Sequence, residues 1–188
     1  MSAEQRFWLI RHAPVARPHG IIHDADAPAD LSNSTALAVV RERLPKALAV
    51  FASPARRTME TATALGLTPT PEPRLREQNF GVWTGRRHTE IEAELGPAYA
   101  DFWRRPATNR PPGGESFDDQ IARVRDCLPA LPTGDVALVI HSGTIRAILA
   151  IALDLPAENA LRFVIDPLSL TQIDRLDQGW RVRTVNVT

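Results

Sequence analysis

Short, wholly apolar runs alternate along this chain with stretches whose apolar positions recur every three or four residues. That is the pattern of buried strands separated by core-facing helices. Phe7-Trp8-Leu9-Ile10 is the first run, and it ends abruptly in Arg11-His12. From Ser34, the positions Leu37, Val40 and Leu44 keep helical spacing until Pro45 stops them. Residues 47–52 read as a second strand. Ser53-Pro54 reads as a helix start, with Ser as N-cap and Pro at the first helical position, and the helix runs to Gly66.

Prolines then enforce an extended connection over residues 68–73. Residues 75–85 hold two glycines, two large aromatics and the carboxylate of Glu77, and predict a loop pinned by its rings. Two short helices follow, over 86–95 and 97–103. Residues 104–114, rich in proline and glycine, are either a lid over a site or a surface loop. Phe117, Ile121, Val124 and Leu128 mark the apolar stripe of a core helix over 115–131, whose polar face calls for no special role. Val136 to Ile140 form the clearest strand, ending in His141-Ser142-Gly143-Thr144 before an apolar helix over 145–153. A short helix beyond Pro156 leads to two last strands, 168–176 and 180–187, joined as a hairpin at Asp177-Gln178-Gly179. The order predicts an α/β fold, a three-layer α/β/α sandwich with a mostly parallel central sheet and helices on both faces.

Composition narrows the function. The 188 residues, 44% of them hydrophobic, suffice for one core, so residues 1–188 are expected to form a single domain. Lys plus Arg and Asp plus Glu both total 22, which gives no general attraction to nucleic acid or to a membrane surface. Anion binding must therefore be local. The single cysteine, Cys127, excludes an internal disulfide and reads as a buried small hydrophobe. No apolar run approaches bilayer length and the first residues do not resemble a signal peptide, so a cytoplasmic location is expected. His12, His19 and His23 lack metal-ligand spacing, and neither metal nor cofactor is expected.

Three strands ending near Arg11-His12, Ser53 and His141 would release their polar groups along one sheet edge, where open α/β sheets bind ligands. Arg56 and Arg57 sit near a helix N-terminus, where a cation is disfavoured unless an anion joins it. Two histidines, Arg11 and at least one of that pair describe a pocket for a doubly charged group. Nearby arginines would keep an attacking imidazole neutral. Glu77, beside apolar rings and close to the anion, is in a setting that suits a proton donor.

Four motifs in order resemble the histidine phosphatase superfamily, in its phosphoglycerate-mutase-like branch. They are Leu9-Ile10-Arg11-His12-Ala13, Ser53-Pro54-Ala55-Arg56-Arg57-Thr58-Met59-Glu60-Thr61-Ala62, the stretch from Leu75 to Gly85, and His141-Ser142-Gly143-Thr144-Ile145-Arg146. The resemblance implies that fold, with His12 as phosphate-accepting nucleophile and Glu77 as proton donor. Arg11, Arg57 and His141 are implied as phosphate-holding catalytic partners, with Ser142 beside them. It selects Arg57 over Arg56.

Ala13 and Ser142 stand where the family carries glycine, and Pro18 where its mutases carry asparagine. The implied activity is metal-independent hydrolysis of a small phosphorylated metabolite through a phosphohistidine. The segment Pro112-Gly113-Gly114-Glu115-Ser116-Phe117, with Ser169-Leu170-Thr171, resembles α-ribazole phosphatases of cobalamin biosynthesis. A phosphoglycerate mutase, a protein-phosphohistidine phosphatase and an inactive phosphate-binding relative are the alternatives. Arg17, His19, His23 and Trp103 are placed as specificity residues by position. The chain is expected to act as a monomer or homodimer.

Overall fold

The computed structural model describes residues 5–17 and 19–188. Pro18, and with it the expected loss of an asparagine contact, lies outside the described residues. Strands β1 (Gln5–Arg11), β2 (Ala49–Ala52), β3 (Thr70–Pro71), β4 (Gly134–Ile140), β5 (Leu170–Leu176) and β6 (Gly179–Val187) form one sheet in the order β3-β2-β4-β1-β5-β6. The first four strands in that order run parallel, while β5 and β6 add an antiparallel hairpin edge.

The helices are α1 (Ser34–Arg43), α2 (Arg56–Ala64), α3 (His88–Leu95), α4 (Pro97–Arg104), α5 (Phe117–Cys127), α6 (Ser142–Leu153) and α7 (Ala157–Ala160). Alternation along the strands decides which covers which face. Phe7, Leu9, Val136, Leu138 and Ile140 pack with Phe117, Ile121 and Val124 of α5 and with Ile145 and Ile148 of α6. Ile10, Ala137, Val139 and Ala52 point the other way, onto Leu37 and Val40 of α1 and Ala62 of α2. The three layers follow from a side-chain period of two.

A smaller cluster stands apart from both. Ile22, Trp83, Ile91, Tyr99 and Phe102 bury one another where α3 and α4 meet the loop after β3. The rings do pin that loop, with Trp83 edge-on to Tyr99 and Phe102 at 5.7 and 4.8 Å. Cys127 is a buried free thiol in the core, and burial pushes it up to about 11. No helix among the described residues is long and apolar enough to cross a membrane.

One predicted helix start is corrected. Helix α2 begins at Arg56, not Pro54, and its N-cap Ala55 makes no side-chain cap bond. Residues 53–55 form a bend with Ala55 extended, and Ser53 Oγ accepts only Ala55 N–H at 3.4 Å from this segment. The Thr58 hydroxyl donates to the Ser53 and Ala55 carbonyls, and Ser53 Oγ turns to His141.

Candidate active site

Register brings three residues together. Arg11 lies opposite Ile140, and Val139 opposite Ala52, so the next residues, His12, His141 and Ser53, leave the sheet side by side. Two backbone bonds carry the ladders one step further: His12 N–H to the Ile140 carbonyl at 2.9 Å, and Ser53 N–H to the Val139 carbonyl at 3.2 Å. The two imidazole centroids are 5.1 Å apart, edge to face. That is about one strand spacing.

Arg57 bridges the rings. Its Nε donates to His12 Nε2 at 3.3 Å, its Nη2 to His141 Nδ1 at 3.3 Å, and its Nη1 to the Asp24 carbonyl at 2.8 Å. A guanidinium only donates, so both ring nitrogens facing it are acceptors. The ring protons lie on the opposite nitrogens: His12 Nδ1 donates to the Ala13 carbonyl at 2.6 Å and His141 Nε2 to Ser53 Oγ at 2.8 Å. His12 thus holds an unprotonated Nε2 toward the cationic floor of the crevice. Arg56, by contrast, points to solvent and pairs with Glu60 at 2.6 Å.

Both imidazoles are held well below the ordinary 6.5, chiefly by burial. Repulsion adds to this, from His141 and Arg57 on His12, and from Arg57 and Arg11 on His141. Desolvation therefore leads, where the sequence pointed to the arginines. Arg11 reaches the same crevice. One Nη donates to the Ile165 carbonyl, while its buried Nε has no hydrogen-bond partner among the described residues. An oxyanion would satisfy that donor.

Glu77 lines the smaller cleft together with Phe80 and Trp103, and its carboxylate is held by polar partners. One oxygen accepts from Gln120 Nε2 and Gln78 N–H, both at 3.1 Å, and the other from Gly143 N–H at 3.1 Å in the first turn of α6. A Cβ on Gly143 would stand 2.1 Å from the Glu77 oxygen, so this seat exists only because residue 143 is glycine. Gln120, fully buried, also donates to Thr144 Oγ1 at 3.2 Å and the Arg76 carbonyl at 3.3 Å.

Two clefts flank these groups and share Arg57 and Glu77. The larger, about 580 Å³, has His141 and Ser53 at its base and Arg76, Gln78, Asn79 and Arg123 on its walls. The smaller, about 250 Å³, holds Arg11, His12 and Ser142 under Phe80, Trp103 and Ile22. Of the four residues placed by position, His23 and Trp103 line the smaller cleft. Arg17 and His19 line neither; Arg17 is exposed and pairs with Asp24 at 2.8 Å. Residues 104–114 also line neither. They pack behind the loop that follows Glu77, where Pro112 accepts from Val82 N–H and a Cβ on Gly81 would meet the Pro112 oxygen at 2.1 Å. Among the described residues, no group of three or more His, Cys, Asp and Glu side chains is placed to hold a metal.

The sequence model of the histidine phosphatase superfamily (branch 1) matches residues 7–188. The chain belongs to the histidine phosphatase superfamily. A glucosyl-3-phosphoglycerate phosphatase of Mycobacterium tuberculosis is 36% identical over 137 residues, 64% of this chain and 60% of that protein, so the match spans less than two thirds of that relative. The corresponding protein of Mycolicibacterium vanbaalenii is 31% identical over 176 residues, covering 82% of this histidine phosphatase and 77% of the relative. A mycobacterial glucosyl-3-phosphoglycerate phosphatase solved with VO3 superposes with a TM-score of 0.82 at 32% identity, over 97% of this chain and 99% of that one. The α-ribazole phosphatase of Shigella flexneri superposes with a TM-score of 0.85 at 23% identity, over 96% of each chain, which is similarity of fold.

Several residues of the crevice carry no role in the sequence reading. Ser53 as partner of His141 was hidden behind its expected capping role. Gln120 had a signal: it lies three residues after Phe117, on the apolar stripe, where a polar side chain needs a buried partner. Arg123 gave none and Glu115 only its place in the Gly114-Glu115-Ser116 segment, because they bond each other and backbone groups of a distant loop.

Proposed function

We propose that this histidine phosphatase hydrolyses small phosphomonoesters through a phosphohistidine on His12. The observation that carries the reading is the His12 tautomer. Nδ1–H is tied to a carbonyl, so the Nε2 lone pair faces the crevice among Arg11, Arg57 and His141. A neutral imidazole is a competent nucleophile, and burial keeps it neutral.

In the first step His12 Nε2 forms a bond to phosphorus as the ester P–O bond breaks. Protonated Glu77 gives its proton to the leaving oxygen. Arg11, Arg57 and the first turn of α6 hold the non-bridging oxygens, whose charge they offset, and neutral His141 fixes the Arg57 fork beside them. In the second step water attacks phosphorus and the P–N bond breaks. Glu77, now a carboxylate, takes the proton from that water and is restored. Ester and water become alcohol and phosphate.

Substrate choice falls to the larger cleft, whose walls carry Arg76, Gln78, Asn79 and Arg123 and whose Arg76 has no carboxylate partner within ion-pair distance among the described residues. That lining suits a hydroxylated or acidic leaving group. Glucosyl-3-phosphoglycerate has sequence identity behind it, and α-ribazole 5'-phosphate has similarity of fold. Both belong in the first phosphomonoester panel. His12→Ala should abolish turnover and acid-labile phosphoryl labelling together; a variant still hydrolysing a small aromatic phosphate ester would end the proposal.

A further inference from the structure

The loop bearing Glu77 is gripped at the wall of the larger cleft by one bidentate ion pair. Arg123 of α5 donates Nε and Nη2 to the two Glu115 oxygens at 3.0 and 2.6 Å. The same guanidinium reaches the Arg74 carbonyl at 2.8 Å and the Glu77 carbonyl at 3.0 Å. Glu115 completes the grip on the far side, where its carboxylate accepts Asn79 N–H at 2.9 Å. Its own backbone exchanges with the loop too: Glu115 N–H donates to the Asn79 carbonyl at 2.9 Å, and the Glu115 carbonyl accepts from Gln78 Nε2 at 2.9 Å. Backbone groups at residues 74, 77 and 79 are therefore fixed by a single pair of side chains.

Resting on the reading of Glu77 as acid and base, we infer that Arg123 and Glu115 are positioning residues for it. The Glu77 side chain is oriented by Gln120 and by Gly143, but both anchors work only if the Glu77 backbone stands at the right distance from α5 and α6. Residues 76–80 lie outside every regular element, and the bonds of Gln120 and Thr144 to the Leu75 and Arg76 carbonyls stop one residue short of Glu77. A planar fork reaching two carbonyls and a carboxylate at once sets that distance, and an ammonium group cannot copy that shape. An error of about 1 Å at a catalytic group costs on the order of 100-fold in rate. Both side chains also line the larger cleft, so direct contact with substrate is the competing explanation.

Leaving-group dependence separates the two. We would measure kcat/KM and KM for phosphate esters ranging from 2,4-dinitrophenyl to simple alkyl, in the wild type, Glu77→Gln, Arg123→Gln and the double variant. The acid reading expects Glu77→Gln to steepen the dependence on alcohol pKa. The positioning role expects Arg123→Gln to steepen it in the same direction, with a loss of about 10- to 100-fold on alkyl esters, up to the lower bound of a full general-acid contribution. It expects little loss on the dinitrophenyl ester, an unchanged KM, and a double variant no steeper than Glu77→Gln alone. Uniform loss across the series, loss confined to KM, or full rescue by Arg123→Lys overturns it. A Glu77→Gln slope equal to wild type instead removes the acid reading itself. If Arg123→Gln does not fold, Glu115→Gln, which keeps an oxygen for Asn79 N–H but breaks the ion pair, decides by the same slopes.

Discussion

Replacing Gly143 with alanine sets two physical effects against each other in one methyl group. Gly143 is the second residue of α6 and its φ is not positive, so the backbone accepts alanine without strain. Helix propensity then favours the substitution by up to about 1 kcal/mol. The new Cβ, however, would stand 2.1 Å from one Glu77 oxygen and 3.0 Å from Cδ. No pair of atoms tolerates that separation, and the flexible end of Glu77 is what moves. Its charge-assisted bond to Gly143 N–H is lost with it, a cost of about 1.5–3 kcal/mol in a buried setting. Glu77 is only half-buried and can turn to water in the larger cleft, so most of that cost is recovered.

Stability should therefore change by no more than about 1 kcal/mol, or roughly 2–4 °C in Tm for a chain of this size. Activity should fall far more, because the proposed acid has left its seat. General acids contribute about 10²–10⁴-fold, so kcat/KM on an alkyl phosphate should drop at least about 100-fold, some 2.7 kcal/mol of barrier. Thermal melting read beside kcat/KM on alkyl and dinitrophenyl esters is sufficient. A fully active Gly143→Ala protein would refute the placement of Glu77, and a Tm fall above about 10 °C would show that Glu77 cannot yield as supposed.

Other consequences are open to measurement. His12 and His141, and half-buried His23 to a lesser degree, titrate below 6.5 in the folded chain but near 6.5 when unfolded. The unfolded state then binds more protons below that pH, so unfolding free energy should decline as pH falls through about 6.5, and His12→Asn should flatten the decline. Urea melts between pH 7.5 and 5.5 that superimpose would contradict the burial argument. Arg76→Ala should raise KM for esters bearing a carboxylate and spare uncharged ones; an equal rise for both would remove Arg76 from substrate choice. Asp174, fully buried between Arg6, Arg181 and Arg183, is held far below the usual carboxylate range by their hydrogen bonds despite its burial. Asp174→Asn should cost about 1–3 kcal/mol, since the three arginines keep access to water, and chemical denaturation showing no loss would mean that the cluster contributes nothing.

How far a sequence reveals such a site depends on what kind of bond each residue makes. Strand ends were legible, since an apolar run that stops at Arg11-His12 or at His141 states its own position. The choice of Arg57 over Arg56 was not available from dipole arguments, which treat neighbours alike; it came from the motif, and the structure puts Arg56 on Glu60. Ser53-Pro54 carried two helix-start signals and was misread, because a neighbouring strand offered the serine a better partner than its own helix. For Glu77 the sequence indicated nearby rings, and Phe80 does line the same cleft, but its hydrogen-bond partners Gln120 and Gly143 are more than 40 residues away and were not legible. Local propensity cannot see long-range polar pairing, and this crevice is built mainly from it.

That construction also explains why two clefts share only Arg57 and Glu77. An in-line displacement needs the entering nitrogen and the departing oxygen on opposite sides of phosphorus. His12 lines the smaller cleft and not the larger, while the larger has His141, Gln78 and Asn79 with room for an alcohol. On the proposed mechanism, a phosphoryl group seated between them would have its attacking atom on one side and its leaving atom on the other. Arg57 can then hold equatorial oxygens throughout, and Glu77, reachable from both sides, can meet the alcohol first and the water afterwards. The water of the second step must arrive where the alcohol left, so product has to clear the larger cleft before hydrolysis. A retained alcohol in that cleft should accept the phosphoryl group in place of water. Added glycerol raising total alcohol release while holding phosphate release constant would be the kinetic sign of that shared path, and strictly parallel changes in both would rule it out.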